Sequence, residues 1–241
     1  MNELSIIIPC ISTTEYLPQF LDTLVVHLME NPSDIDCIVV THEGVLEPEI
    51  IIAHTRKHYP WLRLAIVQRK GSTRNFGTLA RFGIAYSTSR YVVLVSPYGE
   101  DDVSIIPRML AAIRQGTQVV QATRYTAEAS SHSLPLRFRI YQFLYRFLTR
   151  AFLGFSITDS TYGFKMFDRT FMQALGLTQN GYSICPEITF KGLLAGGRVE
   201  YISCTMRSVP SNKDFKLHRE GLGYFWVLVR SIAHRWGIPW F

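Results

Sequence analysis

Short apolar, β-branched runs alternate with helical patterns along the first half of the chain. The strand-like runs occupy residues 4–8, 37–40, 62–67 and 91–95. Over residues 17–28, apolar positions recur at the three- and four-residue intervals of an amphipathic helix. Because parallel strands need crossover connections, this alternation predicts an α/β fold with a mostly parallel sheet and helices on both faces.

The second half of the chain has a less regular pattern. It contains a further strand, a long aromatic helix, two extended segments, a short helix and a C-terminal amphipathic helix. The strand covers residues 118–122 and the aromatic helix residues 136–152. The two extended segments cover residues 161–167 and 199–206. The short helix covers residues 187–194 and the C-terminal helix residues 217–234. The last helix carries several basic residues, so we expect a basic amphipathic segment at this end of the fold.

Ligands of open parallel sheets bind where the strands end at their carboxyl side. In this sequence those ends are residues 9–12, 41–44 and 96–102. We therefore expect the functional chemistry to lie at these three segments.

Composition narrows the class of protein. The chain has 241 residues, of which 47% are hydrophobic and 18% charged, which indicates a globular protein of one domain rather than a disordered chain. Its apolar runs are shorter than the roughly 20 residues of a membrane-spanning helix, and the start at Met1 lacks the basic residues of a secretory signal, so we expect a cytoplasmic protein. The four cysteines occur without a C-x-x-C pair, which favours buried thiols over a zinc site or a disulfide.

Charge is distributed unevenly. Residues 1–106 carry 8 basic and 12 acidic residues, whereas residues 107–241 carry 17 basic and 7 acidic residues. The second half could therefore face nucleic acid, an anionic membrane surface or a phosphorylated substrate. No recognisable nucleic-acid-binding module occurs, so we expect no nucleic-acid partner.

Several short motifs occur in a characteristic order. They are Ile6-Ile7-Ile8-Pro9, Phe76-Gly77-Thr78 with Gly83, Arg124-Tyr125, the segment Asp159-Ser160-Thr161-Tyr162-Gly163-Phe164-Lys165, Glu187 and Arg207. Their order and spacing resemble family 2 glycosyltransferases of the GT-A fold, in particular polyprenyl-phosphate sugar transferases related to dolichyl-phosphate mannose synthase. The resemblance extends over nearly the whole chain.

The resemblance implies a single Rossmann-like GT-A domain over residues 1–241. Residues 1–106 would bind a nucleotide sugar and residues 107–241 an acceptor, which would be a lipid phosphate or a small molecule. The reaction would be an inverting sugar transfer, with Asp159 or Glu187 as base for a hydroxyl acceptor and no base for a phosphate acceptor. Donor-binding positions would be Pro9, Cys10, His42, Ser96 and Tyr98, and acceptor or phosphate-binding positions Arg124, Arg137, Arg139, Arg207 and Lys216.

The sequence departs from this family in its acidic motifs. Thr41-His42 replaces an acidic pair after the second strand, and Ser96-Pro97-Tyr98 replaces the Asp-x-Asp that holds a divalent ion. Hydroxyl groups are poorer ligands for hard cations than carboxylates, and Glu100 is the remaining candidate ligand. We therefore expect that no metal is required, or that Mg²⁺ or Mn²⁺ is held only weakly. Arg207, Lys213 and Lys216 would then neutralise the leaving diphosphate.

Two features leave alternatives open. Arg139, Arg146 and Arg150 share one face of the 136–152 helix, which is typical of a solvated basic face but would equally suit phosphate and lipid headgroups. With the aromatic C-terminal segment, the second interpretation predicts peripheral attachment to the inner, anionic membrane face. Because acidic motifs are missing, the second hypothesis for the whole chain is a catalytically silent paralogue that acts as a binding or regulatory protein.

Overall fold

A sheet of seven strands forms the centre of the protein. The computed structural model describes residues 2–12, 17–28, 34–71, 75–125, 136–205 and 217–238. The strands are β1 (Leu4–Cys10), β2 (Ile35–His42), β3 (Arg63–Arg69), β4 (Tyr91–Leu94), β5 (Val119–Thr123), β6 (Lys165–Asp168) and β7 (Val199–Ser203). Their spatial order is β3-β2-β1-β4-β6-β5-β7. All neighbouring pairs are parallel except those of β6, which runs antiparallel to β4 and β5. The predicted mostly parallel α/β sheet is confirmed.

Helices cover both faces of this sheet. They are α1 (Leu17–Val26), α2 (Pro48–His58), α3 (Phe76–Tyr86), α4 (Ile106–Arg114), α5 (Leu136–Leu153), α6 (Arg169–Leu175), α7 (Ile184–Leu194) and α8 (Leu217–Arg235). Apolar residues of α1 and α4 share one buried cluster, and those of α3, α6 and α7 share another on the opposite face. None of the helices in the described ranges has the length and hydropathy of a transmembrane segment.

Strand β1 shows why these apolar runs form central strands. Alternate side chains of a strand point to opposite faces, so Ile6 and Ile8 enter one buried cluster while Ile7 enters the other. All seven residues of β1 are buried. A strand covered on both faces needs a continuous apolar run, and full burial of each isoleucine stabilises the fold by about 1.5–3 kcal/mol.

Helix α3 lies unusually close to the sheet at Gly83. A Cβ atom at this position would stand 2.5 Å from Cγ2 of Ile7 and 2.9 Å from Cγ2 of Val40. Any larger residue would push the helix away from β1 and β2. This close approach explains the glycine that the sequence motif contains.

Helices α5 and α8 form an outer layer against α7. Tyr145, Phe190 and Tyr224 are buried in a third cluster between these helices, and the Tyr145 hydroxyl donates to the Tyr224 carbonyl at 3.0 Å. The extended segment predicted over residues 161–167 is a strand only from Lys165 onwards, and residues 159–164 form a loop. The sequence patterns did not predict α6, a short helix capped by Asp168, whose side chain accepts from the Phe171 amide.

Candidate functional site

The antiparallel direction of β6 brings two distant loops to one edge of the sheet. Lys165, the first residue of β6, pairs with Leu94 of β4 and Gln121 of β5, both near the carboxyl ends of their strands. The loop before β6 therefore lies beside the loops that follow β4 and β5. We call residues 95–102 the β4 loop and residues 159–164 the Asp159 loop.

Arg124 and Asp159 form a buried, bidentate ion pair. Nε of Arg124 donates to Oδ2 of Asp159 at 2.7 Å, and Nη2 donates to Oδ1 at 3.2 Å. The Asp159 side chain is fully buried and that of Arg124 is 10% exposed. Burial disfavours the charged guanidinium, but the adjacent carboxylate more than compensates and raises the pKa of Arg124 above its usual value.

The same carboxylate organises its own loop. Oδ1 of Asp159 also accepts from the amide and hydroxyl of Thr161 and from the amide of Tyr162, each at 3.2 Å. Gln142 of α5 donates to the Thr161 hydroxyl as well. Asp159 therefore holds Arg124 and the loop in place, and it is not the exposed proton acceptor that the sequence predicts.

A group of basic and aromatic side chains surrounds this ion pair. The guanidinium carbons of Arg146 and Arg124 lie 4.9 Å and 5.9 Å from the centre of the Tyr125 ring. Burial raises the pKa of Tyr125 to about 12, and the charges of Arg124, Arg146 and Arg139 act in the opposite direction. We call Arg124, Tyr125, Arg139 and Arg146 the arginine corner.

Several polar atoms near the arginine corner lack partners. Among the described residues, the Tyr125 hydroxyl, Nε of Arg146 and the hydroxyls of Thr158 and Ser160 are buried without a hydrogen bond. Arg146 contacts this loop directly, since its Nη1 donates to the Thr158 carbonyl at 3.5 Å. Buried donors are normally satisfied, so this set is suited to a bound acceptor of hydrogen bonds.

The β4 loop is held by a buried carboxylate at its end. Asp101 accepts from the Ser96 amide at 2.7 Å and from the Tyr162 hydroxyl at 2.6 Å. Burial, followed by the charge of Glu100, raises the pKa of Asp101 to about 7 although both hydrogen bonds oppose this rise. Tyr98 of the same loop and Ser12, which follows β1, share a hydrogen bond of 2.9 Å between their hydroxyls.

A buried lysine holds the Asp159 loop through hydrogen bonds. Nζ of Lys165 donates to the Ser160 carbonyl at 3.0 Å and to the Thr189 hydroxyl at 2.9 Å. Both partners are neutral, and burial lowers the pKa of Lys165 to about 7. The lysine of the sequence motif thus positions the turn between Asp159 and Thr161.

Two predicted donor-binding residues lie inside the sheet. Pro9 and Cys10 belong to β1 and are buried, and Cys10 is part of the core beneath α1. Burial raises the pKa of the Cys10 thiol. These side chains pack in the core, so the prediction that they contact a donor is corrected. His42, the last residue of β2, is also buried, whereas Ser96 and Tyr98 are partly exposed on the β4 loop.

Glu187, the other predicted base, stabilises a different loop. Its carboxylate accepts from the amides of Thr178 and Gln179 at 2.8 Å and 2.9 Å and lies 3.2 Å from Nζ of Lys191. The side chain is fully buried in the first turn of α7. Its oxygens therefore fasten residues 178–179 to α7 instead of facing an acceptor.

The remaining predicted residues divide into two groups. Arg139 lies half-buried on α5, while Arg207, Lys213, Lys216 and the side chain of Arg137 lie outside the described residues. Sequence reasoning assigned no site role to Tyr162 or Asp101. Tyr162 belongs to the Asp159 to Lys165 motif, and Asp101 lies within residues 96–102, where we expected functional chemistry. The sequence therefore contained an indication for both residues.

Solved structures of other proteins share this fold. The chain is similar to glucosyl-3-phosphoglycerate synthase from Mycobacterium tuberculosis in complex with Mn²⁺, UDP and phosphoglyceric acid, with 16% identity, a TM-score of 0.68, and coverage of 99% of this chain and 80% of that chain. The complex of the same enzyme with Mn²⁺, UDP-glucose and phosphoglyceric acid gives 17% identity, a TM-score of 0.70, and coverage of 99% and 81%. No curated protein sequence matches the chain significantly.

These structures overturn the prediction that no metal is required. They contain Mn²⁺ together with UDP or UDP-glucose, so a divalent cofactor has to be considered for this fold. In this chain, Glu100 offers a partly buried carboxylate on the β4 loop, while Asp101 is engaged with Ser96 and Tyr162. The described residues contain no cluster of three ligand side chains. The site fits an ion that one carboxylate and the oxygens of a bound diphosphate hold together.

A model of a protein family also matches this chain. The model of glycosyl transferase family 2 matches residues 5–176, which include β1 to β6, the β4 loop and the Asp159 loop. This is more than half of the chain, and it contains all of the arginine corner. The chain belongs to glycosyltransferase family 2 and is a glycosyltransferase.

Proposed function

We propose that the enzyme transfers a sugar, with inversion, from a nucleotide donor to the phosphate of a phosphorylated acceptor. The arginine corner is the observation that carries this proposal. Arg124 and Arg146 both lie against Tyr125, and Arg139 is close enough to lower the pKa of that tyrosine. Guanidinium groups offer paired N–H donors that match phosphate oxygens.

The buried polar atoms beside the arginines support an anion at this place. The hydroxyls of Tyr125, Thr158 and Ser160 and Nε of Arg146 would gain partners from phosphate oxygens. Leaving a buried donor unsatisfied costs about 1–3 kcal/mol, so occupation by an anion would remove this cost. Among the described residues, Arg124 is paired with the Asp159 carboxylate, and the added positive charges of Arg139 and Arg146 near Tyr125 favour a ligand of negative charge.

The state of the carboxylates favours a phosphate nucleophile over a hydroxyl. Asp159 and Glu187, which were expected to act as bases, already accept hydrogen bonds with both oxygens. An acceptor phosphate is ionised near pH 7 and needs no base. One of its oxygens attacks the anomeric carbon of the donor, the bond from that carbon to the diphosphate oxygen breaks, and the nucleoside diphosphate leaves with the electron pair.

A divalent ion would accompany the donor diphosphate. Mn²⁺ is present with UDP in the structures of the similar synthase. We assign Glu100 as the protein ligand, with diphosphate oxygens as further ligands. When bound, such an ion supplies positive charge that stabilises the leaving diphosphate.

Helix α5 favours a lipid as the carrier of the acceptor phosphate. Its exposed side carries large apolar residues, each between 52% and 68% exposed: Leu136, Ile140, Phe143, Leu144 and Phe147. Arg139 and Arg146 are instead half-buried towards the arginine corner. The helix therefore has its apolar side outward, which is the reverse of a solvated basic face and suits insertion into a membrane interface.

Helix α8 extends this apolar surface. It packs on α5 through Tyr145 and Tyr224, and it exposes Leu222, Phe225 and Trp226 by 51–68%. We call the exposed apolar residues of α5 and α8 the outer face. We infer that the outer face rests on an anionic membrane, with a polyprenyl-type phosphate reaching the arginine corner from the lipid.

Turnover with two kinds of phosphorylated acceptor tests the proposal. Nucleotide release from UDP-glucose and other nucleotide sugars would be measured with Mn²⁺, using a polyprenyl phosphate in vesicles or 3-phosphoglycerate in solution. We expect release with the lipid phosphate, a strong decrease when EDTA removes the metal, and a higher Mn²⁺ requirement in Glu100→Gln.

Two results would argue against the proposal in different ways. Turnover with 3-phosphoglycerate alone would keep the phosphorylated acceptor but remove the lipid. Tight binding of nucleotide sugars without release under any of these conditions would favour a silent paralogue instead. The exposed Glu49→Gln variant serves as the control for loss of one carboxylate.

A further inference from the structure

Tyr162 is a direct contact between the β4 loop and the arginine corner. Its hydroxyl donates to Asp101 at 2.6 Å, and its ring centre lies 4.4 Å from the guanidinium carbon of Arg124. We propose that Tyr162 is a positioning residue that couples the donor to the acceptor, so that each binds more tightly when the other is present. This inference rests on the proposed function, which assigns the donor to the β4 loop and the acceptor phosphate to the arginine corner.

The link begins within the β4 loop. Asp101 accepts from the Ser96 amide with one oxygen and from Tyr162 with the other. Any rearrangement of residues 96–100 around a diphosphate and its metal therefore acts on Asp101, and through Asp101 on the Tyr162 hydroxyl. Burial raises the pKa of Tyr162 well above its usual value, so the hydroxyl keeps its proton and remains a donor.

The link ends at the ion pair of the arginine corner. The backbone amide of Tyr162 donates to Asp159 at 3.2 Å, and Asp159 holds Arg124 at two points. The Tyr162 ring contacts the same guanidinium, which is a favourable cation–π arrangement. A shift of the ring would therefore change the position of the guanidinium that faces the acceptor.

Burial makes this link stiff. Tyr162 is only 6% exposed, and its ring packs edge-on against Phe164, with centroids 6.4 Å apart. Close-packed interiors transmit small displacements because few voids exist to absorb them. The structure thus connects both halves of the site through one side chain with two rotatable bonds.

Binding measurements on Tyr162→Phe test the coupling. The dissociation constant of UDP with Mn²⁺ would be measured by calorimetry without and with saturating farnesyl phosphate, and in a separate series with 3-phosphoglycerate. In the wild-type enzyme we expect at least one phosphorylated probe to tighten UDP binding by about fivefold or more, which is in the usual range of coupling between sites. Tyr162→Phe keeps the ring but loses the hydroxyl, and its coupling should fall below about twofold while each ligand alone binds within about threefold of wild type.

Tyr145→Phe is the matched control. It also removes a buried tyrosine hydroxyl bond, the one to the Tyr224 carbonyl, but it lies between α5 and α8 and should keep the wild-type coupling. Coupling that persists in Tyr162→Phe, or that disappears equally in Tyr145→Phe, would overturn the inference. Independent binding of UDP and probe to the wild type would overturn it too but leave the proposed function standing. A wild type that binds neither UDP nor any other nucleoside diphosphate with Mn²⁺ would remove both.

Discussion

The guanidinium of Arg124 holds both carboxylate oxygens of Asp159, at 2.7 Å and 3.2 Å, inside the protein. Arg124 directly follows β5 and Asp159 begins the loop before β6, so this pair joins the two loops on either side of the proposed acceptor site. The Asp159 carboxylate fixes the position of the Arg124 guanidinium. In the proposed function Asp159 is therefore a positioning residue, where the sequence motif led us to expect a base.

Replacing Asp159 by Asn should therefore affect both stability and turnover. The change leaves the buried guanidinium without its charged partner, and breaking such a pair typically costs about 3–5 kcal/mol. We expect the sugar transfer rate to fall at least about tenfold, which corresponds to about 1.4 kcal/mol of transition-state stabilisation. Chemical denaturation and steady-state rates measure the two effects.

Asp168→Asn is the control for this variant. Asp168 caps α6 by accepting from the Phe171 amide, and because Asn caps a helix about as well as Asp, this variant should change stability little and leave the rate nearly unchanged. An unchanged transfer rate in a folded Asp159→Asn enzyme would remove Asp159 from the acceptor site.

Arg146 should contribute to acceptor binding more than to donor binding. Charge-assisted hydrogen bonds contribute about 1.5–3 kcal/mol each, so Arg146→Gln should raise KM for the phosphorylated acceptor about tenfold or more. The donor KM should remain within about twofold. Arg150→Gln, one turn further along α5 and exposed, is the control, and equal effects of both substitutions would contradict the assignment of the arginine corner.

The outer face should bind membranes reversibly. Phe143 and Phe147 are 66% and 58% exposed, and withdrawal of each ring from a lipid interface loses up to about 1.5–3 kcal/mol. We expect the double change of both phenylalanines to serine to reduce sedimentation with anionic liposomes at least about tenfold. High salt should weaken wild-type binding because the electrostatic part is screened.

Phe82→Ser, at an exposed position on α3, should leave liposome binding unchanged. Wild-type protein that stays in the supernatant with anionic and neutral liposomes at every salt concentration would exclude the membrane interpretation. The acceptor would then be a soluble molecule.

Lys165 should give the folded protein a specific pH dependence. Burial lowers its pKa to about 7, whereas an unfolded chain keeps a lysine proton up to about pH 10. Between these values the unfolded state binds more protons, so this residue makes the free energy of unfolding rise with pH. Lys165→Met lacks the titration, and the wild-type minus variant difference in that free energy should increase from about pH 7 to about pH 10.

Denaturant unfolding at several pH values within this window measures the difference. Lys70→Met, at an exposed position near Glu43, separates the loss of any lysine from the loss of this buried one. A Lys165→Met difference that stays constant across the window would show that the buried ammonium keeps its proton in the folded state.

The sequence patterns predicted strands β1 to β4 well. Strands such as β1 and β2 are covered on both faces and therefore read as continuous apolar runs, and the strand ends correctly located the β4 loop. The antiparallel direction of β6 left no trace in the pattern, because a strand of four residues between a loop and a helix carries no information on strand direction. Contacts such as Arg124 with Asp159 depend on that direction.

Helix α5 shows a second limit of sequence patterns. The periodicity separates an arginine side from an apolar side, but it does not say which side faces the protein. The sequence therefore left two alternatives open, a solvated basic face and a face that contacts phosphate and lipid headgroups. The structure places Arg146 against Tyr125, where its Nη1 donates to the Thr158 carbonyl, and leaves Phe143 and Phe147 exposed.

The phosphorus NMR spectrum of the isolated product distinguishes sugar transfer to a phosphate from sugar transfer to a hydroxyl. If an acceptor phosphate oxygen attacks the sugar, the resonance of the acceptor changes from a phosphomonoester to a phosphodiester as nucleotide is released. We predict this change with the wild-type enzyme and its near absence with Arg146→Gln at low acceptor concentration. A product that retains its phosphomonoester and carries the sugar on a hydroxyl would contradict the base-free transfer to phosphate.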